Sequence, residues 1–323
     1  MKPFTQRKAL PFLSCLIISL LLFTGCAKRE APVIGIAEQY GIAYAPLNIM
    51  KELGILERKL PGVKIEWKQF GGPTAIRESM MNGEIDFGFM GVAPVLIGID
   101  NGMEWKYATG ISSNEVAIVT SSPDIKSLKD FSPQDRIAIL SPGCTQHVLL
   151  CMLADEQLGD PHALDNQTVS MTHPDAMHAL LSGTEITAHI ATPPYISQEV
   201  QAGMSVLATG EEIMGGPFTF ISGVAMTDFY ENHRDWYDAF IEALDESIDY
   251  INENMEECVR ILAPIYGVSQ EDLMEQMTYN GTIYSNQLKG VPQISAAMQK
   301  TGFTSGNPDF DTIIFDNVNQ EKE

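Results

Sequence analysis

The sequence predicts an α/β protein of two lobes, in which each lobe is a mainly parallel sheet flanked by helices and the chain crosses between the lobes twice. Three observations predict this fold. The 323 residues exceed what one ordinary hydrophobic core covers, and a hydrophobic content of 45% can fill two cores. Apolar strands alternate with amphipathic helices up to residue 101, as in parallel sheets with right-handed crossovers. The alternation starts again near residue 136.

The first lobe is predicted to begin with two strands joined by a helix. Residues 33–37 form a compact apolar strand, and the helix over residues 44–54 has Pro46 in its first turn and Gly54 at its carboxyl end. Residues 63–70 alternate between apolar and polar side chains, which is typical of a half-buried strand. These elements place a second strand in the same sheet.

The rest of the prediction is organised around residues 71–102. This segment contains a helix, a tight turn at Asn82-Gly83, a buried strand over residues 85–90 and a second helix that begins in the loop of residues 91–94. A strand that runs into a helix N-terminus exposes unpaired backbone N–H groups at the sheet edge, where open α/β sheets bind ligands. We therefore interpret residues 91–94 as one wall of a binding cleft, with an ordinary turn in a core as the alternative.

Two turn-rich segments predict the crossings between the lobes. Strands are expected over residues 105–109 and 115–120, and the first crossing is expected at residues 121–123. The second crossing follows residues 215–217, after which a strand over residues 218–226 returns to the first lobe. The first lobe therefore comprises residues 33–118 and 218–323, and the second comprises residues 119–217.

The second lobe repeats the arrangement of the first. A strand over residues 136–140 ends in a loop, residues 141–147, that leads into a helix over residues 148–158. Further strands are expected over residues 167–171 and 186–191. The remaining chain is helical and acidic, and the apolar stripe of its helix over residues 235–252 is interpreted as core of the first lobe.

The amino terminus has the pattern of an export signal. Three basic residues precede an apolar run, residues 9–23, that ends in Leu22-Phe23-Thr24-Gly25-Cys26. This ending resembles the bacterial lipobox, which implies removal of a signal peptide, residues 1–25, and lipidation of Cys26. Residues 26–32 would then tether an exported, membrane-anchored protein that faces the periplasm or the cell exterior. A plain cleaved signal with an incidental cysteine is the alternative.

Charge and cysteine content exclude several classes of function. The formal net charge is −22, and removal of the basic signal makes the chain more acidic, so we do not expect a nucleic-acid partner. After Cys26 only Cys144, Cys151 and Cys258 remain, and we expect three free, mostly buried thiols. The histidines of the second lobe are irregularly spaced, which favours hydrogen-bonded or exposed imidazoles over a metal site. We expect no metal, no cofactor and no catalytic residues.

The candidate ligand-binding residues lie in loops at the carboxyl ends of strands, which face each other across the two lobes. Backbone N–H groups at two helix starts suit a carboxylate or a polar carbonyl, and three aromatic rings suit a flat or apolar body. The alternative is that Tyr40 and Phe218 belong to the core. The candidates are Gln39, Tyr40, Gly91, Val92, Ala93, Ser113, Asn114, Cys144, Thr145, Gln146, Thr192, Tyr195 and Phe218.

Several motifs together resemble one family of transport proteins. They are Gly54-Ile55-Leu56-Glu57, Gly71-Gly72, the segments of residues 82–88 and 91–94, Ser127-Leu128-Lys129-Asp130-Phe131 and Ala191-Thr192-Pro193-Pro194-Tyr195. They resemble substrate-binding proteins of ATP-driven (ABC) importers in the nitrate, sulfonate and taurine group, of periplasmic binding protein type 2, which includes thiamine-pyrimidine binders. The resemblance implies a monomer that captures a small solute between its lobes and delivers it to permease and ATPase subunits.

The sequence departs from this family at two places that bear on the ligand. Residues 191–195 carry no carboxylate where the family has Trp-Asp-Pro-Tyr, which disfavours an amine at that point. No arginine lies in the predicted cleft loops, which disfavours nitrate or sulfonate held by a guanidinium.

Two other classes of function remain open. The resemblance extends to a fungal synthase that makes the thiamine pyrimidine from its own histidine, but the Cys-rich run of that enzyme is absent here. A sensory or adhesion lipoprotein that has kept the fold and lost transport is the second alternative. Neighbouring genes for a permease and an ATPase would distinguish transport from it.

Overall fold

A computed structural model describes residues 32–279 and 282–318. The predicted signal peptide, residues 1–25, and Cys26 with most of the tether lie outside the described residues. In the described ranges, none of the helices is both long enough and apolar enough to span a bilayer.

The described strands alternate with helices along the chain, as the sequence predicts. The strands are β1 Val33–Glu38, β2 Lys64–Gln69, β3 Phe87–Gly91, β4 Trp105–Ser113, β5 Ala117–Thr120, β6 Ile137–Ile139, β7 Thr168–Ser170, β8 Ala188–Ala191, β9 Ser205–Thr209, β10 Ile221–Met226 and β11 Ile283–Tyr284. The α-helices are α1 Ala45–Glu52, α2 Ile55–Lys59, α3 Pro73–Met81, α4 Val92–Asp100, α5 Thr145–Leu158, α6 His173–Ser182, α7 Tyr195–Gln201, α8 Gly210–Met214, α9 Thr227–Asn232, α10 Arg234–Glu253, α11 Met255–Tyr266, α12 Gln270–Met277 and α13 Val291–Lys300.

The strands form two sheets, one in each lobe. The first has the order β11-β4-β10-β3-β1-β2 and the second has the order β7-β6-β8-β5-β9. Both sheets are mixed rather than mainly parallel. Strands β2, β1 and β3 are parallel, whereas β10 is antiparallel to β3 and β4. Likewise β6 is parallel to β7 and β8, while β5 is antiparallel to β8 and β9. The first strand after each crossing, β5 or β10, is therefore antiparallel to both of its neighbours, and β11 is antiparallel to β4.

The first crossing lies earlier in the chain than the sequence suggests, whereas the second contains the predicted break at residues 215–217. Strand β4 stays in the first sheet up to Ser113, and β5 enters the second sheet at Ala117. The chain returns after Thr209 through α8 and joins the first sheet at Ile221. The expectation of a crossing at residues 121–123 is wrong, since the Ser121 N–H already bonds the Thr187 carbonyl within the second lobe.

The core of the first lobe depends on aromatic packing and on close backbone approach. The Phe87 ring of β3 stacks on Phe240 of α10 with ring centroids 3.9 Å apart, so the apolar stripe of the acidic helix is core, as expected. Gly35 of β1 lies where a Cβ would overlap the Glu84 carbonyl. Its N–H donates to the Asp86 carboxylate at 2.8 Å, and this bond fixes the turn that leads into β3. These contacts hold the carboxyl ends of β1 and β3 side by side.

Candidate ligand-binding cleft

A cleft lies between the carboxyl ends of strands in the two lobes. Its first-lobe wall comes from the ends of β1 and β3, and its second-lobe wall comes from the residues that follow β6, β7 and β8. This is the position where open α/β sheets place ligands. The cleft is lined by Gln39, Tyr40, Ala43, Tyr44, Gly71, Pro73, Gly91, Pro94, Leu140, Cys144, Thr145, Gln146, His173, Thr192, Phe220 and Ile221.

The two lobes contact each other directly at the cleft. The Ala93 N–H, in the first turn of α4, donates to the Thr145 hydroxyl in the first turn of α5 at 3.3 Å. A Cβ built on Gly91 would overlap that hydroxyl. Glycine at residue 91 therefore allows the lobes to meet at this bridge.

The N-terminus of α5 supplies hydrogen-bond donors. Cys144 is its N-cap and makes no side-chain capping bond, and the first N–H groups of any helix have no intrahelical acceptor. The fourteen-residue helix α5 directs the positive end of its dipole to the same place. Such a helix end suits an anionic group or a carbonyl.

Gln39 supplies a hydrogen-bond acceptor on the opposite wall. Its side chain is 5% exposed, and its amide nitrogen donates to the Phe89 carbonyl at 3.3 Å. Its Oε1 atom is buried without a hydrogen-bond partner among the described residues. An unsatisfied buried oxygen of this kind costs about 1–3 kcal/mol, so Oε1 suits a ligand that carries an N–H or O–H group.

A chain of buried polar groups runs from the cleft into the second lobe. His173 Nε2 lies 3.3 Å from Gln146 Nε2 and 3.4 Å from the Thr192 hydroxyl, which both line the cleft. His173 Nδ1 lies 2.8 Å from His189 Nε2. His189 Nδ1 lies 2.6 Å from Glu199 Oε1.

Three secondary-structure elements bring this chain together. His173 begins α6 after β7, His189 lies on the central strand β8, and Glu199 lies on α7. Burial raises the pKa of Glu199 to about 8 and lowers the pKa of both imidazoles. The Tyr195 ring stacks on His173 with centroids 5.2 Å apart.

The sequence identifies about half of the residues that line the cleft. Among the predicted residues, Gln39, Tyr40, Gly91, Cys144, Thr145, Gln146 and Thr192 line it. Val92 and Ala93 are fully buried behind it. Tyr195 lines a neighbouring pocket, together with Tyr40 and Glu38.

Three predicted residues lie elsewhere. Ser113, Asn114 and Phe218 line a separate pocket at the crossings, with Glu115, Thr209, Glu211 and Pro217. They do not reach the cleft because β10 lies between β3 and β4 in the sheet, so the end of β4 is displaced sideways by two strands from the end of β3. Phe218 is 4% exposed, so the alternative of a core residue holds for it, whereas Tyr40 is 44% exposed.

The sequence did not single out His173, Tyr44 or Phe220, which also line the cleft. His173 stands at the start of the helix that follows β7, which is the same position relative to a strand as the predicted loops. That position was the signal that could have identified it. None of the residues that line this cleft is a lysine or an arginine.

Helix α5 also carries two members of a separate cluster of a histidine, a cysteine and an aspartate. His147, Cys151 and Asp165 hold their ligand atoms within 4.8 Å of one another, as some metal sites do. The Gly143 N–H donates to His147 Nδ1 at 3.1 Å, so Nε2 carries the ring proton and donates to Asp165 at 3.1 Å. This tautomer leaves no lone pair on Nε2 for a metal ion. The three cysteines are free and buried, as expected.

Comparisons with known proteins agree with this architecture. A protein of Bacillus subtilis (strain 168) that is named for binding aliphatic sulfonates is 23% identical over 305 residues, which cover 88% of this chain and 88% of that protein. A similarly named protein of Escherichia coli (strain K12) is 23% identical over 257 residues, with 78% of this chain and 77% of that protein covered.

Solved structures share the fold. The alkanesulfonate-binding protein SsuA of Xanthomonas axonopodis pv. citri, bound to MOPS, matches with a TM-score of 0.72 at 16% identity, over 88% of this chain and 98% of that one. The periplasmic nitrate-binding protein NrtA of Synechocystis PCC 6803 matches with a TM-score of 0.71 at 17% identity, over 90% of this chain and 86% of that one. The sequence model of the NMT1-like family matches residues 33–263. The chain therefore belongs to the NMT1-like family and has the two-lobed fold of periplasmic binding proteins.

Proposed function

We propose that this protein is the solute-binding component of an ABC importer, which captures a small organic solute between its lobes and delivers it to a membrane permease. The observation that carries the proposal is the cleft itself, which is built from strand ends of both lobes and crossed by the Ala93–Thr145 bridge. The named relatives are binding proteins for aliphatic sulfonates. A protein that only binds and releases its solute needs no catalytic group.

The cleft favours a solute with an acceptor group at one end and a donor or a flat body at the other. The N–H groups at the start of α5 suit a sulfonate, carboxylate or carbonyl oxygen. Gln39 Oε1 suits a donor on the same solute. The rings of Tyr40 and Phe220, with the two prolines that line the same cleft, suit an apolar segment. Since no guanidinium lines the cleft, backbone N–H groups would hold the anionic group.

The proposal also assigns the lobes and the anchor. We take residues 33–118 and 218–323 as one lobe and residues 119–217 as the other, except that β5 puts Ala117 and Ile118 in the second lobe, and we take the crossings as hinges. We propose that Cys26 is acylated after removal of residues 1–25, which would hold a monomer at the membrane surface beside its permease and ATPase. Labelled fatty acid should be incorporated by the full chain and by Cys15→Ser, which lies within the signal, but not by Cys26→Ser. Equal labelling of the two variants contradicts the anchor.

The solute class can be tested with compounds that share one carbon chain. Protein purified without refolding is first examined by native mass spectrometry for a co-purified solute. Isothermal titration then compares 1-propanesulfonate, propanoate, propanamide and propylammonium. We expect binding by the compounds that carry an acceptor oxygen, and recovery of each compound unchanged.

Variants locate the binding to the cleft. Thr145→Ala removes the bridge and should weaken binding, whereas Thr184→Ala, on the exposed turn after α6, should not. Binding of propylammonium alone contradicts the proposed ligand chemistry. Chemical conversion of a bound compound would favour an enzyme.

A further inference from the structure

The buried chain of His173, His189 and Glu199 is more than cleft wall, because only one of its members meets the cleft. Each of the three residues is at most 5% exposed. The contacts at 2.8 Å and 2.6 Å are hydrogen bonds of ordinary to short length. Each imidazole uses both ring nitrogens in the chain, so the proton positions of the three groups depend on one another.

With Glu199 ionised, all the protons point away from the cleft. His189 Nδ1–H donates to the Glu199 carboxylate, which leaves His189 Nε2 as an acceptor. His173 Nδ1–H then donates to His189, which leaves His173 Nε2 as an acceptor toward Gln146 and Thr192. The Gln146 amide nitrogen lies against His173 Nε2 in this arrangement.

One added proton reverses the direction of every bond. A proton that enters from the cleft binds His173 Nε2, the Nδ1 proton of His173 passes to His189 Nε2, and the Nδ1 proton of His189 passes to Glu199. The three groups together gain one proton: both imidazoles remain neutral, and the Glu199 carboxyl group becomes neutral. His173 Nε2–H is now a donor.

The side-chain amide of Gln146 transmits this reversal of hydrogen bonding to the ligand. When His173 Nε2 accepts, the amide nitrogen of Gln146 faces it; when His173 Nε2 donates, the amide oxygen must face it. Gln146 lines the cleft, so the amide atom that a ligand meets changes from oxygen to nitrogen. The Thr192 hydroxyl can adapt to either state because it both donates and accepts.

We propose that the His173–His189–Glu199 chain sets the hydrogen-bonding polarity of the cleft, so that a solute with an acceptor oxygen is bound together with one proton. This inference rests on the proposed function. His173 and Gln146 contact the solute, while His189 and Glu199 are positioning residues. The added proton turns the donor side of the Gln146 amide toward the solute, in a cleft whose described lining contains no lysine or arginine.

Within the described ranges, no neighbouring charged group fixes the charge of the His173–His189–Glu199 chain, so its charge depends on whether the added proton is bound. His173 faces His189 from β8, the stacked Tyr195 ring from α7, and Gln146 from α5. Tyr40 and Tyr266 are ionisable groups that interact with Tyr195 in turn. Among the described residues, no lysine or arginine is hydrogen-bonded or ion-paired to any of the three. Burial raises the pKa of Glu199 to about 8, which places the change of state near neutral pH.

The proton positions can be measured without a ligand. Wild-type protein labelled with ¹⁵N-histidine is titrated from pH 6 to pH 9.5 by NMR, with His173→Gln and His189→Gln used to assign the signals. We expect both rings to be neutral throughout and to shift the ring proton together from Nε2 to Nδ1 as the pH rises. In Glu199→Gln the amide cannot ionise, so neither ring should change its tautomer with pH.

A second buried carboxyl group provides the matched control. Glu38 is 5% exposed and its pKa is about 7, but it bonds Asn48 and lies outside the chain. Glu38→Gln should leave the tautomer change of both rings as in wild type. Rings that keep one tautomer at every pH, or that become imidazolium, overturn the inference.

Binding of 1-propanesulfonate then tests the coupling. Above the pH of the tautomer change, wild-type affinity should fall about tenfold per pH unit, as expected for one linked proton. Glu199→Gln should change less than about twofold over the same range, and titrations in buffers of different ionisation enthalpy should show proton uptake in wild type only. Equal pH profiles for the two proteins overturn the inference although the binding function stands. If the tautomers change as expected but no compound with an acceptor oxygen binds, the proposed function fails instead. The coupling of the proton to solute binding then fails with it.

Discussion

Glu199 holds a buried carboxyl group whose ionisation the fold opposes, so the free energy of unfolding should depend on pH through this residue. Its side chain is completely buried, and its Oε2 atom has no hydrogen-bond partner among the described residues. Glu199→Gln keeps the shape and the bond to His189 but removes the ionisation. The variant therefore isolates the contribution of one proton.

The sign and the size follow from linkage. Burial raises the pKa of Glu199 from 4.5 to about 8. Between these values the folded protein holds a proton that the unfolded chain releases, so stability is fully present below pH 4.5 and is lost as the pH rises toward 8. One proton corresponds to about 1.4 kcal/mol per pH unit, which amounts to about 3 kcal/mol between pH 5.5 and pH 7.5.

Glu38 adds a slope of the same sign. Its pKa is raised to about 7, chiefly by burial, so it contributes only below that pH. Below about pH 6.5 the buried His173 and His189 oppose this slope, because burial lowers the pKa of both imidazoles and the unfolded chain then binds protons that the folded protein does not. Wild-type protein should therefore lose stability faster than one proton allows only between about pH 6.5 and pH 7. Glu199→Gln should retain the part that belongs to Glu38.

Urea unfolding at half-unit steps from pH 5 to pH 8 measures this difference. The stability of Glu199→Gln relative to wild type should rise by about 1.4 kcal/mol for each pH unit, whatever its value at pH 5. Glu246→Gln, a surface carboxyl group that is ion-paired with Lys59, is the control and should run parallel to wild type. If Glu199→Gln also runs parallel, the carboxyl group ionises in the folded protein as it does in water, and the reasoning is refuted.

Further predictions concern the contact between the lobes and the ligand. Gly91→Ala should weaken solute binding about tenfold, because the new Cβ overlaps the Thr145 hydroxyl. Calorimetry should show a smaller loss of affinity when Gly91→Ala is made in the Thr145→Ala variant. An equal loss in wild type and in that variant contradicts the clash. Small-angle scattering should show a smaller radius for the complex, since the lobes rotate about the two crossings; an unchanged radius with proven binding indicates a preclosed receptor. In titration calorimetry, binding should weaken by about 1–3 kcal/mol in each of the variants Tyr40→Ala, Thr145→Ala and Tyr195→Ala. If these variants fold and bind the solute as tightly as wild type does, the solute binds elsewhere.

The local order of the chain was available from the sequence. The buried strand before Gly91, the proline and glycine signals around α1 and the break before residue 136 depend on hydrophobic period and backbone preference, which neighbouring residues specify. Loops at strand ends followed directly, and with them Gln39, Gly91 and Thr145 of the cleft. The family resemblance then implied the two-lobed fold.

The tertiary structure decided which of those loops meet. Ser113 and Asn114 stand at a strand end as Gly91 does, yet they line another pocket because β10 separates β4 from β3 in the sheet. Strand order is set by pairing between distant segments, and the local pattern does not encode it.

The buried proton chain depends on the tertiary structure more than any other feature. His189 stands on β8 opposite Val119 of β5 and Ala138 of β6, and this register directs its ring toward α6 and α7. His173 and Glu199 are 16 and 10 residues from it along the chain, spacings that carry no periodic signal. The sequence alone predicted hydrogen-bonded or exposed imidazoles in the second lobe, in preference to a metal site. Their alignment from the cleft to Glu199 arises from sheet register and helix packing, because only these bring three separate elements within hydrogen-bond distance.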